Sequence, residues 1–138
     1  MGTAPSAQEI LSDLPAWAEM LERHADTFAA LQAGCALGLV PKADTEQRPG
    51  RMLVWTRAES GGMQAGLRPF TGYKDCGVDI LFVAEDAGLA AIHRALADRP
   101  LGEMKGALRR SELFLFVLKP RDQLIEDGWG EFLETLGL

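Results

Sequence analysis

Val78-Asp79-Ile80-Leu81-Phe82-Val83-Ala84, answered further on by Leu113-Phe114-Leu115-Phe116-Val117-Leu118, decides the fold class of this chain. Both runs are rich in β-branched and aromatic residues, which suit strands. Between them Glu85-Asp86 offers an acidic helix start, and Leu89, Ile92, His93 and Leu96 recur at helical spacing before Pro100. Strand, helix and strand in one sheet predict a right-handed parallel crossover. The second run, apolar at every position, predicts a central strand covered on both faces and the best core segment of the chain. Residues 101–110 predict only a weak helical turn, interrupted by Gly102 and Gly106.

On the N-terminal side of this unit, residues 51–58 alternate, with Met52, Val54 and Thr56 on one side and Leu53, Trp55 and Arg57 on the other. That is the pattern of a half-buried strand. Ser60-Gly61-Gly62 predicts a turn, Met63–Phe70 the returning arm, and Pro69, with no amide to donate, an edge position for that arm. Residues 41–50 are polar and bounded by prolines, so they predict a loop after a short strand at Ala36–Val40.

Helices close both ends. Ser6-Ala7-Gln8-Glu9 has capping-box spacing, and Ser12-Asp13 before Leu14-Pro15 offers a second cap. Trp17, Leu21, Phe28 and Leu31 then predict one amphipathic helix over 14–33, stopped by Gly34. Leu124, Ile125, Trp129, Phe132, Leu133 and Leu136 predict a C-terminal helix over 121–136, split near Asp127, which would cap its second half. The expected architecture is α+β: a mixed β-sheet of about four to five strands with an N-terminal helix, a βαβ-like crossover and a C-terminal helix. Residues 1–138 are expected to form a single globular domain with a flexible N-terminus at 1–5.

Composition narrows the function. Fourteen Lys+Arg against 20 Asp+Glu give a net charge of −6, the wrong sign for a phosphate backbone, so no nucleic acid is expected. No apolar run approaches the ~20 residues of a membrane span, and Met1–Pro5 resembles no leader; no membrane partner and a cytoplasmic location are expected. Two cysteines, Cys35 and Cys76, make neither a disulfide framework nor a paired zinc motif. His24 and His93 read as boundary residues of apolar helix faces with satisfied ring nitrogens, so neither metal nor cofactor is expected.

No phosphate-binding glycine loop, HExxH, GxSxG or CxxC occurs, which favours a non-catalytic protein. The most site-like stretch is Glu59–Gly77, with Gly61, Gly62, Gly66, Gly72 and Gly77 beside Arg68, Tyr73, Lys74 and Cys76. Trp55 and Arg57, sharing a strand face, have the composition of a protein interface, the other reading of Trp55 being core packing under the first helix. The acidic C-terminal segment, Asp122, Glu126, Asp127, Glu131 and Glu134, reads as a solvated face that attracts a basic partner. The leading expectation is therefore a small acidic bacterial protein that binds another protein as adaptor, regulator or neutralising partner. The alternative is a protein or enzyme that binds a small anionic ligand at 59–77 through Arg68, Tyr73, Lys74 and Cys76. A homodimer through the sheet edge or first helix is a third reading.

Overall fold

The hairpin at 50–70 organises the sheet. In the computed structural model, which describes residues 5–46 and 50–138, strand β2 (Gly50–Arg57) pairs antiparallel with β3 (Met63–Phe70) from Gly50↔Phe70 to Arg57↔Met63. The turn closes where the Ala58 amide donates to the Gly62 carbonyl at 2.8 Å and Gly61 takes a φ of +99°, a value natural for glycine. Strand β1 (Ala36–Pro41) pairs antiparallel with β2 and parallel with β4 (Ile80–Ala84), and β4 pairs antiparallel with β5 (Leu113–Val117). The order is β3-β2-β1-β4-β5, which leaves Pro69 on an outer strand as its missing amide requires.

Helices cover one face. Helices α1 (Ala7–Ser12) and α2 (Leu14–Arg23) precede the sheet, α3 (Lys42–Glu46) follows β1, and α4 (Asp86–Arg94) and α5 (Pro100–Arg109) join β4 to β5. Helices α6 (Arg121–Asp127) and α7 (Gly130–Thr135) close the chain. Leu37, Leu39, Leu53, Trp55, Ile80, Phe82 and Leu113 point from the sheet into this layer and meet Trp17, Phe28, Leu89, Met104, Trp129 and Phe132. Each fully buried side chain of this size stabilises by roughly 1.5–3 kcal/mol. Trp55 lies at the centre, 6.0 Å from Trp17, 6.1 Å from Phe28 and 6.4 Å from Phe132 between ring centroids.

The protein is α+β as its sequence predicts, and the Ser6–Glu9 capping box forms. Several local expectations are corrected. The strands at 80–84 and 113–117 pair antiparallel rather than parallel, because two helices join them: one helix carries the chain back along the strand and the second returns it to the same end. The weak turn at 101–110 is in fact a ten-residue helix, in which Pro100 sits at the first turn and Leu101, Met104 and Ala107 bury one face. Strand β5 is an edge strand whose residues Phe114, Phe116 and Val117 are exposed, whereas β2, read as half-buried, is covered on both faces.

The helix expected over 14–33 ends at Arg23 and is followed by a 3-10 turn, Ala25–Phe28; His24, Asp26 and Thr27 are weak helix formers. Asp13 precedes α2 without a side-chain cap bond; its carboxylate instead meets His93 Nε2 at 2.8 Å. The loop expected at 41–50 contains α3, and its residues 47–49 lie outside the described residues, as do residues 1–4 of the expected flexible terminus. The C-terminal helix breaks at Gly128, where φ is +102° and a side chain would collide with the Ala30 carbonyl. Asp127 does not cap α7: it ends α6 and is buried.

Candidate functional site

The second face of the sheet carries a smaller apolar cluster of Ala36, Val40, Met52, Val54, Leu81 and Val83. It is roofed by the connection from β3 to β4, residues 71–79, because these strands lie on opposite sides of β2 and β1 and the chain must cross between them. Phe70, Cys76 and Val78 anchor that crossing in the cluster. Gly72 (φ +113°) and Gly77 (φ +73°) let it turn, and the Thr71 hydroxyl donates to the Asp75 carbonyl at 3.0 Å. Tyr73 lies on top, its ring 5.6 Å from Phe70 and 5.1 Å from Phe116.

Where this loop meets the ends of β4 and β5 it encloses a cleft of about 700 Å³, lined by Tyr73, Lys74, Gly77, Val78, Asp79, Val117, Leu118 and Lys119. That volume falls within the range of small-molecule sites, roughly 300–1,000 Å³. The lining is half apolar strand end, half polar loop. Lys74 forms no ion pair among the described residues, whereas Lys119 is committed: its ammonium lies 2.9 Å from Asp79 and 3.4 Å from Asp127. Those two carboxylates hold the Lys119 pKa above its ordinary value, the hydrogen bond to Asp79 being the largest cause.

Behind the cleft the polar groups are buried and satisfied. One Asp79 oxygen accepts from Trp129 Nε1 at 3.2 Å and from the Ala36 amide at 3.3 Å, and Gln123 Nε2 donates to Asp127 at 2.9 Å. Cys35 Sγ and one oxygen from each of Asp79 and Asp127 lie within 4.8 Å of one another, and Lys119 supplies the cation that this set of anions requires. Burial first, and then the two carboxylates, raise the Cys35 thiol pKa, which keeps the thiol protonated and inert. The cluster is a peg that fixes β4, β5 and α6 to one another, since a buried carboxylate left without its cation is costly.

Of the residues singled out from sequence, the structure brings Tyr73 and Lys74 together in this cleft. Arg68 lies elsewhere, in a concavity of about 410 Å³ with Gly50, Arg51, Leu67 and Pro69. Cys76 is buried beneath the loop, its thiol 3.8 Å from the Tyr73 carbonyl. Trp55 is 0% exposed, and Arg57 donates to the Ala29 carbonyl at 3.3 Å. His93 has the satisfied ring nitrogen expected of it, through Asp13, whereas among the described residues the buried Nε2 of His24 has no partner. Sequence reading missed Asp79, Lys119 and Trp129. One signal was available: Asp79 is a lone acid inside the apolar run 78–84, and a carboxylate buried among apolar residues needs a partner.

No protein-family model matches the chain, and no curated protein is similar enough to match. Two solved structures are similar along nearly the whole length. One, at 17% identity and a TM-score of 0.47, covers 99% of this chain and 93% of its own; it is the solution structure of a conserved hypothetical protein of Thermus thermophilus, for which its description suggests sterol carrier protein. The other is a crystal structure of sterol carrier protein 2, at 16% identity and a TM-score of 0.44, covering 98% of this chain and 97% of its own. The expectation of a protein-binding adaptor, regulator or neutralising partner is corrected: Trp55, the anchor of the expected interface, is buried, and Arg57 is turned onto the Ala29 carbonyl. Among the described residues no helix is long and apolar enough to cross a membrane.

Proposed function

We propose that this protein binds a small amphipathic molecule with a singly charged anionic head in the cleft between the 71–79 loop and the ends of β4 and β5. One observation carries the reading: an uncommitted ammonium, Lys74, faces a cleft of about 700 Å³ whose other wall is the apolar pair Val117 and Leu118. Tyr73 contributes a ring and a hydroxyl, and the exposed Phe116 against which it packs extends the apolar surface away from the charge. The charge count favours one negative charge in the ligand, because the Lys119 ammonium is already balanced by Asp79 and Asp127. Ligand binding requires neither a metal nor a cofactor. We assign the protein to a bacterial cytoplasm, in keeping with its Arg-rich composition and two unpaired cysteines.

Calorimetric titration with dodecanoate, and with dodecyltrimethylammonium as the cationic counterpart, tests the reading. Dodecanoate should bind and the cation should not. Lys74→Ala should weaken dodecanoate by about two- to fivefold, the scale of one exposed charge contact. Equal affinity for both amphiphiles, or no effect of Lys74→Ala, would overturn it.

A further inference from the structure

We propose that β5 is a self-pairing edge: two copies of this chain join antiparallel along Leu113–Val117 about a two-fold axis at Leu115. The inference is independent of the ligand reading, and it starts from the hydrogen-bond phase of the strand. The Glu85 amide donates to the Glu112 carbonyl at 2.9 Å, and the Leu118 amide donates to the Asp79 carbonyl at 3.0 Å. Together with the register from Ile80↔Val117 to Ala84↔Leu113, these bonds turn the amides and carbonyls of Glu112, Phe114, Phe116 and Leu118 towards β4. Both groups of a residue point to one side and the side alternates along the strand, so Leu113, Leu115 and Val117 direct theirs outward. Among the described residues none of these outward groups has a backbone partner.

Exposed edges are ordinarily guarded by charge, proline or a bulge. The other edge of this sheet, β3, has such guards in Arg68 and Pro69. Strand β5 has neither: 113–117 holds no charge and no proline, and its pairing with β4 is continuous, without a bulge. Its exposed side chains are Phe114 (37%), Phe116 (40%) and Val117 (47%), and Ile125 of α6 is exposed too. An apolar, unguarded strand of this kind calls for cover.

A second copy fits the edge in one register best. With Leu115 opposite Leu115, Leu113 meets Val117 twice and all three outward residues exchange bonds, about six in total. The same register sets Phe114 of each copy against Phe116 of the other on the open face, where aromatic cross-strand pairs add to the pairing. The charges that flank the strand are already paired within each copy, Glu112 with Arg110 and Lys119 with Asp79 and Asp127, so the contact is left to the apolar strip. At a net charge of −6 per copy, a strip without charge is where two acidic surfaces can meet.

Sedimentation of the full chain from low to high micromolar concentration, combined with amide exchange, tests this. The expected result is a monomer–dimer equilibrium in which the amides of Leu113, Leu115 and Val117 are protected by at least about tenfold more at high concentration than at low. Those of Phe114 and Phe116 should be protected at both. Phe114→Lys/Phe116→Lys sets like charges opposite and should give a monomer, whereas Phe114→Glu/Phe116→Lys sets opposite charges opposite and should remain a dimer. A monomer at every concentration, or a dimer whose outward amides exchange freely, would overturn the inference without recourse to any variant. Equal behaviour of the two charge variants would overturn the register.

Discussion

Strands β2 and β5 invert each other's sequence signals. Strand β2 has polar ends, with Arg51 and Arg57 flanking an apolar centre, and it lies between two neighbours with Met52 and Val54 buried on one face and Leu53 and Trp55 on the other. Strand β5 is apolar throughout and ends the sheet with two phenylalanines in solvent. Local apolarity measures how much cover a strand needs. Connectivity decides whether this chain supplies it: the short hairpin fixes β3 beside β2, while the α4–α5 pair returns the chain to the open side of β4. Where demand exceeds the cover provided, as at β5, the surplus marks a surface with work to do.

Truncation should separate the two strands by the widest margin. Trp55→Ala should cost about 3–5 kcal/mol in urea denaturation, because it empties the centre of the aromatic cluster. Phe116→Ala on β5 should cost about 1 kcal/mol or less in dilute monomer, where the side chain loses mainly its contact with Tyr73. Equal losses would mean that the two strands are buried alike.

Intermediate in size is the peg between the strands. Asp79→Asn should cost about 1–3 kcal/mol, since it weakens the acceptor for Trp129 and the Ala36 amide and leaves Lys119 with a single carboxylate. Lys119 also fixes a pH dependence. Its pKa is raised in the folded protein, so its contribution is present in full below the unfolded value of about 10.4 and is lost as pH rises through the higher folded value. Lys119→Met should therefore flatten the alkaline arm of the stability profile.

The smallest effect is at His24, whose pKa is lowered by burial and then by Arg23. The sign is opposite: the neutral ring is the folded form, so stability is present in full above the unfolded value of about 6.5 and falls as pH drops through the lower folded value. His24→Phe should remove that acid-side slope. A His24 resonance that titrates above 6.5 would contradict the burial seen here.

The legible and illegible parts of this chain divide along the same line. The hairpin, the edge position of Pro69 and the Ser6 capping box follow from residues within a few positions of one another, so the sequence displays them directly. The antiparallel pairing of β4 and β5 does not: it depended on whether 101–110 is a helix, and Gly102 and Gly106 masked the buried stripe of Leu101, Met104 and Ala107. At the cleft, Tyr73 and Lys74 stood out on a glycine-rich loop. The opposite wall, Val117–Lys119, lies more than 40 positions away and joins them only through the sheet. Asp127, counted among solvated acids, is buried against Lys119 and Gln123 because the turn at Gly128 folds α6 inward.

The proposed ligand site lies on the open side of the sheet, between the 71–79 loop and the end of β5. Mapping amide chemical shifts during a dodecanoate titration tests it most directly. Saturable shifts are expected at Tyr73, Lys74, Gly77, Val78 and Val117–Lys119, with Trp17, Phe28 and Phe132 unmoved. Shifts concentrated instead at those three core aromatics would place the ligand between helices and sheet and contradict it.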